Sequence, residues 1–177
     1  AFIDHRAQEL KRLGKLTQLY ADQPFDRRIG SLYAESPEIV KGIDIMHSRL
    51  RAGFEFLHNA NLLDAVECLI GGEITCSPIQ HLRPKVPSNL GKGNYEVVPW
   101  HQDAGVTLEE ADASDIVTCW IPLVSATREI GCMEVIPGVW RQGYLQHISM
   151  PGVGTTIRPD LLPTTACLTA ECPRGGV

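Results

Sequence analysis

The chain has 177 residues, of which 44% are hydrophobic and 21% are charged, and its formal net charge is −5 at pH 7. This length suits about one domain with a sizeable core, and the composition is ordinary for a soluble globular protein. The acidic balance and the lack of any basic run argue against a nucleic-acid partner. No apolar stretch approaches the length of a membrane span, and charged residues interrupt the N-terminal segment where a signal peptide needs an apolar run. We therefore expect a cytoplasmic protein with no membrane partner.

The cysteines are scattered along the chain, and no two of them form a Cys-x-x-Cys pair, which argues against a zinc site. Their even number permits disulfides. Without a secretion signal, we expect buried free thiols in a reducing cytosol instead. The six residues are Cys68, Cys76, Cys119, Cys132, Cys167 and Cys172.

The first part of the chain has the leucine spacing of amphipathic helices, and we predict helices over residues 4–20, 37–53 and 59–70. A break separates the first two at residues 24–28, where Pro24 precedes a charged cluster. In the third helix, Asn59 or Asn61 is expected to cap the N-terminus, and the glycines at 71–72 end it. The first helix carries a stripe of leucines at positions 10, 13, 16 and 19. We interpret all three helices as scaffold.

After residue 72 the pattern changes to short β-branched and aromatic runs separated by turn residues. We predict a strand at 73–85, which Pro78 places at a sheet edge or bends. We also predict a loop at 87–94, a strand holding residues 101 and 103, and an acidic loop at 109–115. Further strands are predicted at 116–124, 132–136 and 165–170, with an irregular region at 140–163. Helices followed by strands indicate one α+β domain over 1–177, mainly helical over 1–72, whose strands over 73–177 form a sandwich or barrel.

The most informative segment contains His101-Gln102-Asp103. In a strand, residues i and i+2 point to the same face, so an imidazole and a carboxylate would lie side by side. These are two of the three ligands of a 2-His-1-carboxylate site, which holds non-haem Fe(II) and leaves open positions. The tripeptide alone is weak, because six histidines and nine aspartates produce it by chance in roughly one such chain in three.

Three blocks in order make a stronger pattern. They are residues 100–103 (WHQD), 117–123 (VTCWIPL) and 131–138 (GCMEVIPG), and together they resemble the phytanoyl-CoA dioxygenase family. Residues 66–71 (VECLIG) and 80–85 (QHLRPK) also resemble it. The similarity runs from about residue 54 to the C-terminus and more loosely through the N-terminal helices.

The resemblance implies a double-stranded β-helix (a cupin-like jelly roll) buttressed by the N-terminal helices. It implies Fe(II) as cofactor and 2-oxoglutarate and O₂ as cosubstrates for hydroxylation of a small organic or acyl substrate. Carried over by position, His101 and Asp103 match the first two iron ligands and thus the catalytic centre. Trp120 matches a position lining the 2-oxoglutarate pocket, and Gln102 and His81 match positions near that cosubstrate.

The carboxylates of 2-oxoglutarate require cationic or hydrogen-bonding partners. Arg83 and Lys85 are the nearest candidates in the sequence, although a solvated surface charge is the simpler interpretation of each. The family's third iron ligand and its 2-oxoglutarate-binding arginine belong to strands after residue 176, so we expect a truncated chain that binds iron weakly and has almost no turnover alone. His147 lies in the region predicted to be irregular, and we reject it as the third ligand.

One departure from the family pattern follows the third block, where Val139-Trp140 stands in place of the usual Ser-His. Two other functions remain open. One is a metal-free jelly-roll binding module that has lost catalysis, and the other is a non-oxidative cupin-type metal enzyme such as an isomerase. The sequence determines neither the substrate nor the oligomeric state, since one fold serves many functions.

Overall fold

The structure is a computed structural model that describes residues 1–86, 98–107, 111 and 113–177. The chain forms two compact units, 1–93 and 94–177. The prediction of one domain over 1–177 stays a prediction. None of the helices within the described residues combines the length and the apolar character that crossing a membrane requires.

The first unit is helical. Its described elements are the α-helices α1 (Phe2–Arg12), α2 (Phe25–Glu35), α3 (Ile45–Ser48), α4 (Arg51–Leu57) and α5 (Ala60–Ile70), with a 3-10 helix at Pro37–Val40. The helix predicted over 4–20 therefore ends early. Gly14 adopts a φ of +70°, and the N–H of Lys15 donates to the carbonyl of Leu10 at 2.9 Å, which is the Schellman arrangement that terminates a helix.

The helix predicted over 37–53 is wrong, because this segment divides into three short helices. Gly42 at a φ of +67° and Arg49 at a φ of +45° interrupt it in the left-handed region, where a helix cannot continue. Helix α2 was missed at the position of the predicted break. Pro24 precedes its first residue, and a proline is compatible with a helix start because its missing N–H has no partner there anyway.

Helix α5 confirms the third prediction. Asn59 is its N-cap, and the Oδ1 of Asn59 accepts the N–H of Leu62 at 3.3 Å. The helix ends before Gly71. None of its residues is buried.

The core of the first unit lies between α1, α2 and the 3-10 helix. Leu10, Leu32 and Ile39 are fully buried there. The predicted leucine stripe is only partly correct, since Leu10 and Leu16 are buried whereas Leu13 is 60% exposed. The residues that follow α5 contain no strand over 73–86, all of which the structure describes, so the strand predicted at 73–85 is wrong. The predicted loop at 87–94 lies outside the described residues.

The second unit contains, in its described part, four short strands that form two antiparallel pairs: β1 (Met133–Val135) with β4 (Leu168–Ala170), and β2 (His147–Met150) with β3 (Gly154–Ile157). β1 and β4 confirm the strands predicted at 132–136 and 165–170. The prediction of an irregular region at 140–163 is wrong, because this region contains the β2–β3 hairpin. The turn residues around 151–154 connect its two strands.

The strand predicted at 116–124 is wrong, because the described residues 116–124 carry no strand. Just after this segment, Ala126 forms an isolated antiparallel β-bridge with Cys172. The N–H of Ala126 donates to the carbonyl of Cys172 at 2.8 Å, and the N–H of Cys172 returns a bond at 3.0 Å. The predicted acidic loop at 109–115 is described only in part, since 109, 110 and 112 lie outside the described residues.

All six cysteines are free thiols. The expectation that they are buried is wrong. Cys68, Cys76 and Cys167 are exposed, and the other three are half-buried. Burial raises the pKa of the Cys132 thiol, which keeps this group in its unreactive protonated form.

Candidate functional site

His101 and Asp103 lie together, although not on a strand. His101 is in an irregular segment, and Asp103 begins a short 3-10 helix, Asp103–Gly105. The predicted strand is therefore wrong. The turn nevertheless brings the Nε2 of His101 to 3.3 Å from the Oδ1 of Asp103. Two donors that each lie about 2.1 Å from a divalent ion at a right angle are about 3.0 Å apart, so this separation suits adjacent positions on one metal ion.

One ring nitrogen of His101 has a backbone partner that fixes its role. Its Nδ1 lies 2.8 Å from the carbonyl oxygen of Pro99, and because a carbonyl can only accept, Nδ1 carries the proton. Nε2 is therefore the ring nitrogen left to bind a metal, and it lies on the side of Asp103. A second ring nitrogen that donates to a backbone carbonyl is the usual support of a metal-binding histidine. The His101 and Asp103 side chains are 29% and 47% exposed, so the site is open to small molecules.

The segment that carries these residues is attached to the β2–β3 hairpin through Trp100. The Trp100 carbonyl accepts the N–H of Ile157 at 2.8 Å and the hydroxyl of Thr156 at 3.0 Å. Both partners are buried residues of β3. The backbone immediately before His101 is thereby held on the most buried of the four described strands.

Gln102 points its side chain at the segment that leads into β2. Its Nε2 donates to the carbonyl of Gly143 at 2.9 Å, and its Oε1 accepts the N–H of Leu145 at 2.7 Å. Both ends of the amide thus have backbone partners. The role of Gln102 near the cosubstrate stays a prediction. In the structure, its side chain joins the 101–103 turn to the backbone of residues 143–145.

His147 was missed by sequence reasoning. It opens β2, and its Nε2 accepts the backbone N–H of Gln102 at 3.0 Å. The Pro-Gly pair at 151–152, followed by the β-branched run at 155–157 (TTI), is the signal that could have identified this hairpin. Gly105 was missed as well. A Cβ at this position would lie 2.3 Å from the nearest ring atom of His147, so the turn needs a residue without a side chain.

The other predicted site residues have separate surroundings. Trp120 is half-buried in a segment without regular secondary structure. His81 belongs to the first unit, where its Nδ1 lies 3.4 Å from the Oδ2 of Asp44. Lys85 is exposed in the same unit. The roles of these three residues in holding 2-oxoglutarate stay predictions.

The donors present fit part of an iron site. One imidazole and one carboxylate are placed as adjacent ligands, and they are the donor types that non-haem Fe(II) takes. Within the described residues, no three histidine, cysteine, aspartate or glutamate side chains are grouped so that they could hold a metal ion. The described residues therefore offer at most two ligands at this place, His101 and Asp103, and group no third donor of these types with them.

Comparison with known proteins adds one finding. A family model described as phytanoyl-CoA dioxygenase matches residues 5–147, which is more than half of the chain. The match includes the 101–103 turn and ends at His147. No curated protein and no solved structure matches the chain.

Proposed function

The chain belongs to the phytanoyl-CoA dioxygenase family, and from this premise we propose that it forms part of an Fe(II)- and 2-oxoglutarate-dependent oxygenase. This enzyme would hydroxylate a small organic or acyl substrate. The observation that carries the proposal is the approach of the His101 Nε2 to the Asp103 Oδ1 at 3.3 Å. The family's fold is a cupin-like jelly roll. We propose that the two small antiparallel sheets of the second unit are parts of such a double-stranded β-helix, buttressed by the helices.

The two side chains would hold iron through the His101 Nε2 and the Asp103 carboxylate. When bound, the iron supplies the oxidative chemistry: one atom of O₂ enters a C–H bond of the substrate as a hydroxyl group, and the other enters succinate as 2-oxoglutarate loses CO₂. The chain itself provides binding and orientation. The Pro99 carbonyl accepts a hydrogen bond from the Nδ1 of His101, which orients the ring and leaves Nε2 as the nitrogen for the metal. Iron binding requires both groups unprotonated, so we expect binding to weaken in acid.

Four further residues are proposed for the cosubstrate. Trp120 would line the 2-oxoglutarate pocket, and Gln102 and His81 would lie near it. Lys85 would offer a cation to a carboxylate. These roles rest on position in the family pattern. Alanine at each of the four positions should weaken the binding of 2-oxoglutarate, measured by titrating the charge-transfer band with 2-oxoglutarate.

The proposed site is incomplete within the described residues, since a facial triad needs a second histidine. We propose that this third ligand and a cation for the distal carboxylate of 2-oxoglutarate lie outside the described residues. With two ligands alone, the 177-residue chain should bind Fe(II) weakly and turn over very slowly. Tight, stoichiometric Fe(II) binding by the 177-residue chain would contradict this part of the proposal.

The test is an anaerobic titration of Fe(II) with 2-oxoglutarate, followed by visible absorption, together with a succinate assay in air. It should be run on the intact gene product that carries this sequence and on the 177-residue chain. We expect a charge-transfer band and succinate from the intact product. His101→Ala and Asp103→Ala should each abolish both signals, whereas the matched controls His58→Ala and Asp115→Ala, at exposed positions, should retain them.

Other outcomes favour the alternative functions. A product with neither the absorption band nor succinate would be a metal-free binding module. A product that binds metal but is indifferent to 2-oxoglutarate and O₂ would be a non-oxidative cupin-type enzyme. Turnover retained by either ligand variant would show that the ligand assignment is wrong.

A further inference from the structure

The ring of His147 meets the 101–105 turn at two points. Its Nε2 accepts the backbone N–H of Gln102, the residue between the two proposed ligands, at 3.0 Å. Its ring also lies against Gly105, where an added Cβ would come within 2.3 to 2.5 Å of three ring atoms. One side chain therefore contacts the turn both between the ligands and just after them.

The orientation of the His147 ring is itself fixed. Its Nδ1 lies 2.7 Å from the carbonyl oxygen of Leu145, so Nδ1 carries the proton and Nε2 keeps a lone pair. The ring of Tyr144 stacks on that of His147, with centroids 5.3 Å apart and planes at 24°. Because the tautomer and the plane of the ring are both determined, its Nε2 can receive the Gln102 N–H from only one direction.

We propose that His147 is a positioning residue for the metal-binding turn: it holds the backbone of Gln102 and thereby sets the distance between the His101 and Asp103 side chains. This role rests on the proposed function insofar as those two residues bind metal. His147 is not a ligand in this arrangement, because the lone pair of its Nε2 is occupied by the Gln102 N–H. The contact joins residues 45 positions apart in the sequence.

Outer partners of this kind commonly contribute about 10- to 100-fold to metal affinity. The contribution here comes from preorganisation. If the turn is free to open, the His101 and Asp103 side chains must be brought together when the metal binds, and the ordering cost reduces the affinity. Removing the acceptor on His147 should therefore weaken metal binding although no ligand has changed.

Two variants separate the acceptor from the bulk of the ring. In His147→Gln, the Oε1 atom reaches the former position of Nε2 and can accept the Gln102 N–H. In His147→Leu, the branched carbon skeleton is kept and the acceptor is lost. Ser149→Ala is the matched control, because Ser149 is exposed on the same strand and pairs with Thr155 away from the turn.

A third variant tests the packing. The φ of Gly105 is not in the left-handed region, so Gly105→Ala places no strain on the backbone itself. The new methyl group would collide with the His147 ring and push the turn away from it. Gly105→Ala alters no hydrogen-bonding group and no ligand, and we expect it to weaken metal binding as His147→Leu does.

The first measurement uses the metal-free protein and requires no catalytic activity. Hydrogen exchange and long-range ¹H–¹⁵N correlation by NMR report the Gln102 amide and the tautomer of each histidine. We expect a protected Gln102 amide and an Nδ1-protonated His147 in the wild type. Protection should persist in His147→Gln and Ser149→Ala and be lost in His147→Leu. Thermal unfolding confirms that each variant is folded.

The second measurement is a titration of the intact gene product with Zn²⁺ alone, because the 177-residue chain is expected to bind metal weakly. The ¹⁵N resonance of the His101 Nε2 should shift on binding, and that of His147 should not. We expect affinity to fall about 10- to 100-fold in His147→Leu and Gly105→Ala, and to be largely restored in His147→Gln.

The outcomes distinguish this inference from the proposed function. A freely exchanging Gln102 amide in the wild type, unchanged Zn²⁺ affinity in His147→Leu, or a Zn²⁺-dependent shift of the His147 Nε2 resonance would each overturn the positioning role. A protected amide in a protein that binds no Zn²⁺ would support the backbone role of His147 and overturn the metal site.

Discussion

Leu145 donates its backbone N–H to the side-chain Oε1 of Gln102 at 2.7 Å. The other end of the same amide donates to the carbonyl of Gly143 at 2.9 Å. The side chain of Gln102 thereby makes the donor and acceptor bonds to the 143–145 segment that a neighbouring strand would make with its backbone. A glutamine amide can accept from the Leu145 N–H and donate to the Gly143 carbonyl at once, whereas a carboxylate can only accept.

We predict that Gln102→Glu destabilises the second unit by about 0.5–1.5 kcal/mol at neutral pH, because the carboxylate has no proton to donate to the Gly143 carbonyl and that hydrogen bond is lost. Urea denaturation of the variant and the wild type measures the difference in their free energies of unfolding. Gln146→Glu is the matched control. The Oε1 of Gln146 accepts from Arg158 at 3.0 Å, and a carboxylate keeps that bond.

The same variant separates two roles of Gln102. If its amide mainly contacts 2-oxoglutarate, Gln102→Glu should change the affinity for that acid and leave unfolding unchanged. If the amide mainly joins the turn to the 143–145 segment, stability should fall first. Equal stability of Gln102→Glu and the wild type would contradict the structural role.

Leu10 should be essential to the first unit, and Leu13 should not. Leu10 is fully buried, and its truncation to alanine should cost about 2–5 kcal/mol because the lost contacts leave a cavity. Leu13 is 60% exposed, and Leu13→Ala should stay within about 0.5 kcal/mol of the wild type. Chemical denaturation followed by circular dichroism measures both. Similar costs for the two variants would show that α1 packs through a different face.

The pairing of Asp4 with Arg28 should make the first unit sensitive to acid. The hydrogen bond from the Arg28 guanidinium holds the pKa of the Asp4 carboxyl below its usual range. Because the folded pKa is lower than the unfolded one, the pair stabilises the fold above about pH 3.9, and this contribution is lost as the pH falls through the folded pKa.

We therefore expect Asp4→Asn to lower the free energy of unfolding by about 0.5–1 kcal/mol at neutral pH, a modest value because half of the Asp4 side chain faces water. Below the folded pKa the variant and the wild type should be equally stable. Denaturation curves over a range of pH give the comparison, with Asp22→Asn at an exposed position as control. A difference that persists unchanged in strong acid would rule out the ion pair as its cause.

The two asparagines at the start of α5 should behave differently. Asn59 caps the helix through its bond to the Leu62 N–H, so Asn59→Ala should cost about 0.5–2 kcal/mol. Asn61 lies inside the first turn, where alanine has the better helix propensity. Asn61→Ala should therefore be neutral or slightly stabilising. Thermal unfolding measures the stability of the two variants. A larger loss of stability in Asn61→Ala than in Asn59→Ala would place the cap at Asn61.

Local patterns predicted the elements whose signals are local. Helix α5 was correctly identified because its cap, its apolar residues and its terminating glycine lie within a dozen positions. β1 and β4 were identified from short β-branched or apolar runs. Helix α2 was missed because a proline and a charged cluster indicate a break, although a proline can also precede a first helical turn. The long helix predicted over 37–53 failed because the chain enters the left-handed region at both Gly42 and Arg49, and an arginine gives no signal of such a break.

The sequence by itself determined the family and the pairing of His101 with Asp103. Residues two apart are neighbours in a strand and also in this turn, so the 3.3 Å approach of their side chains did not depend on the secondary structure being correct. The tertiary structure alone decided what supports them. Gln102 meets His147 across 45 positions, and Trp100 meets Thr156 across 56, because the β2–β3 hairpin packs beside the turn. Spacing along the chain carries no signal of such contacts, since they exist only once the hairpin has formed.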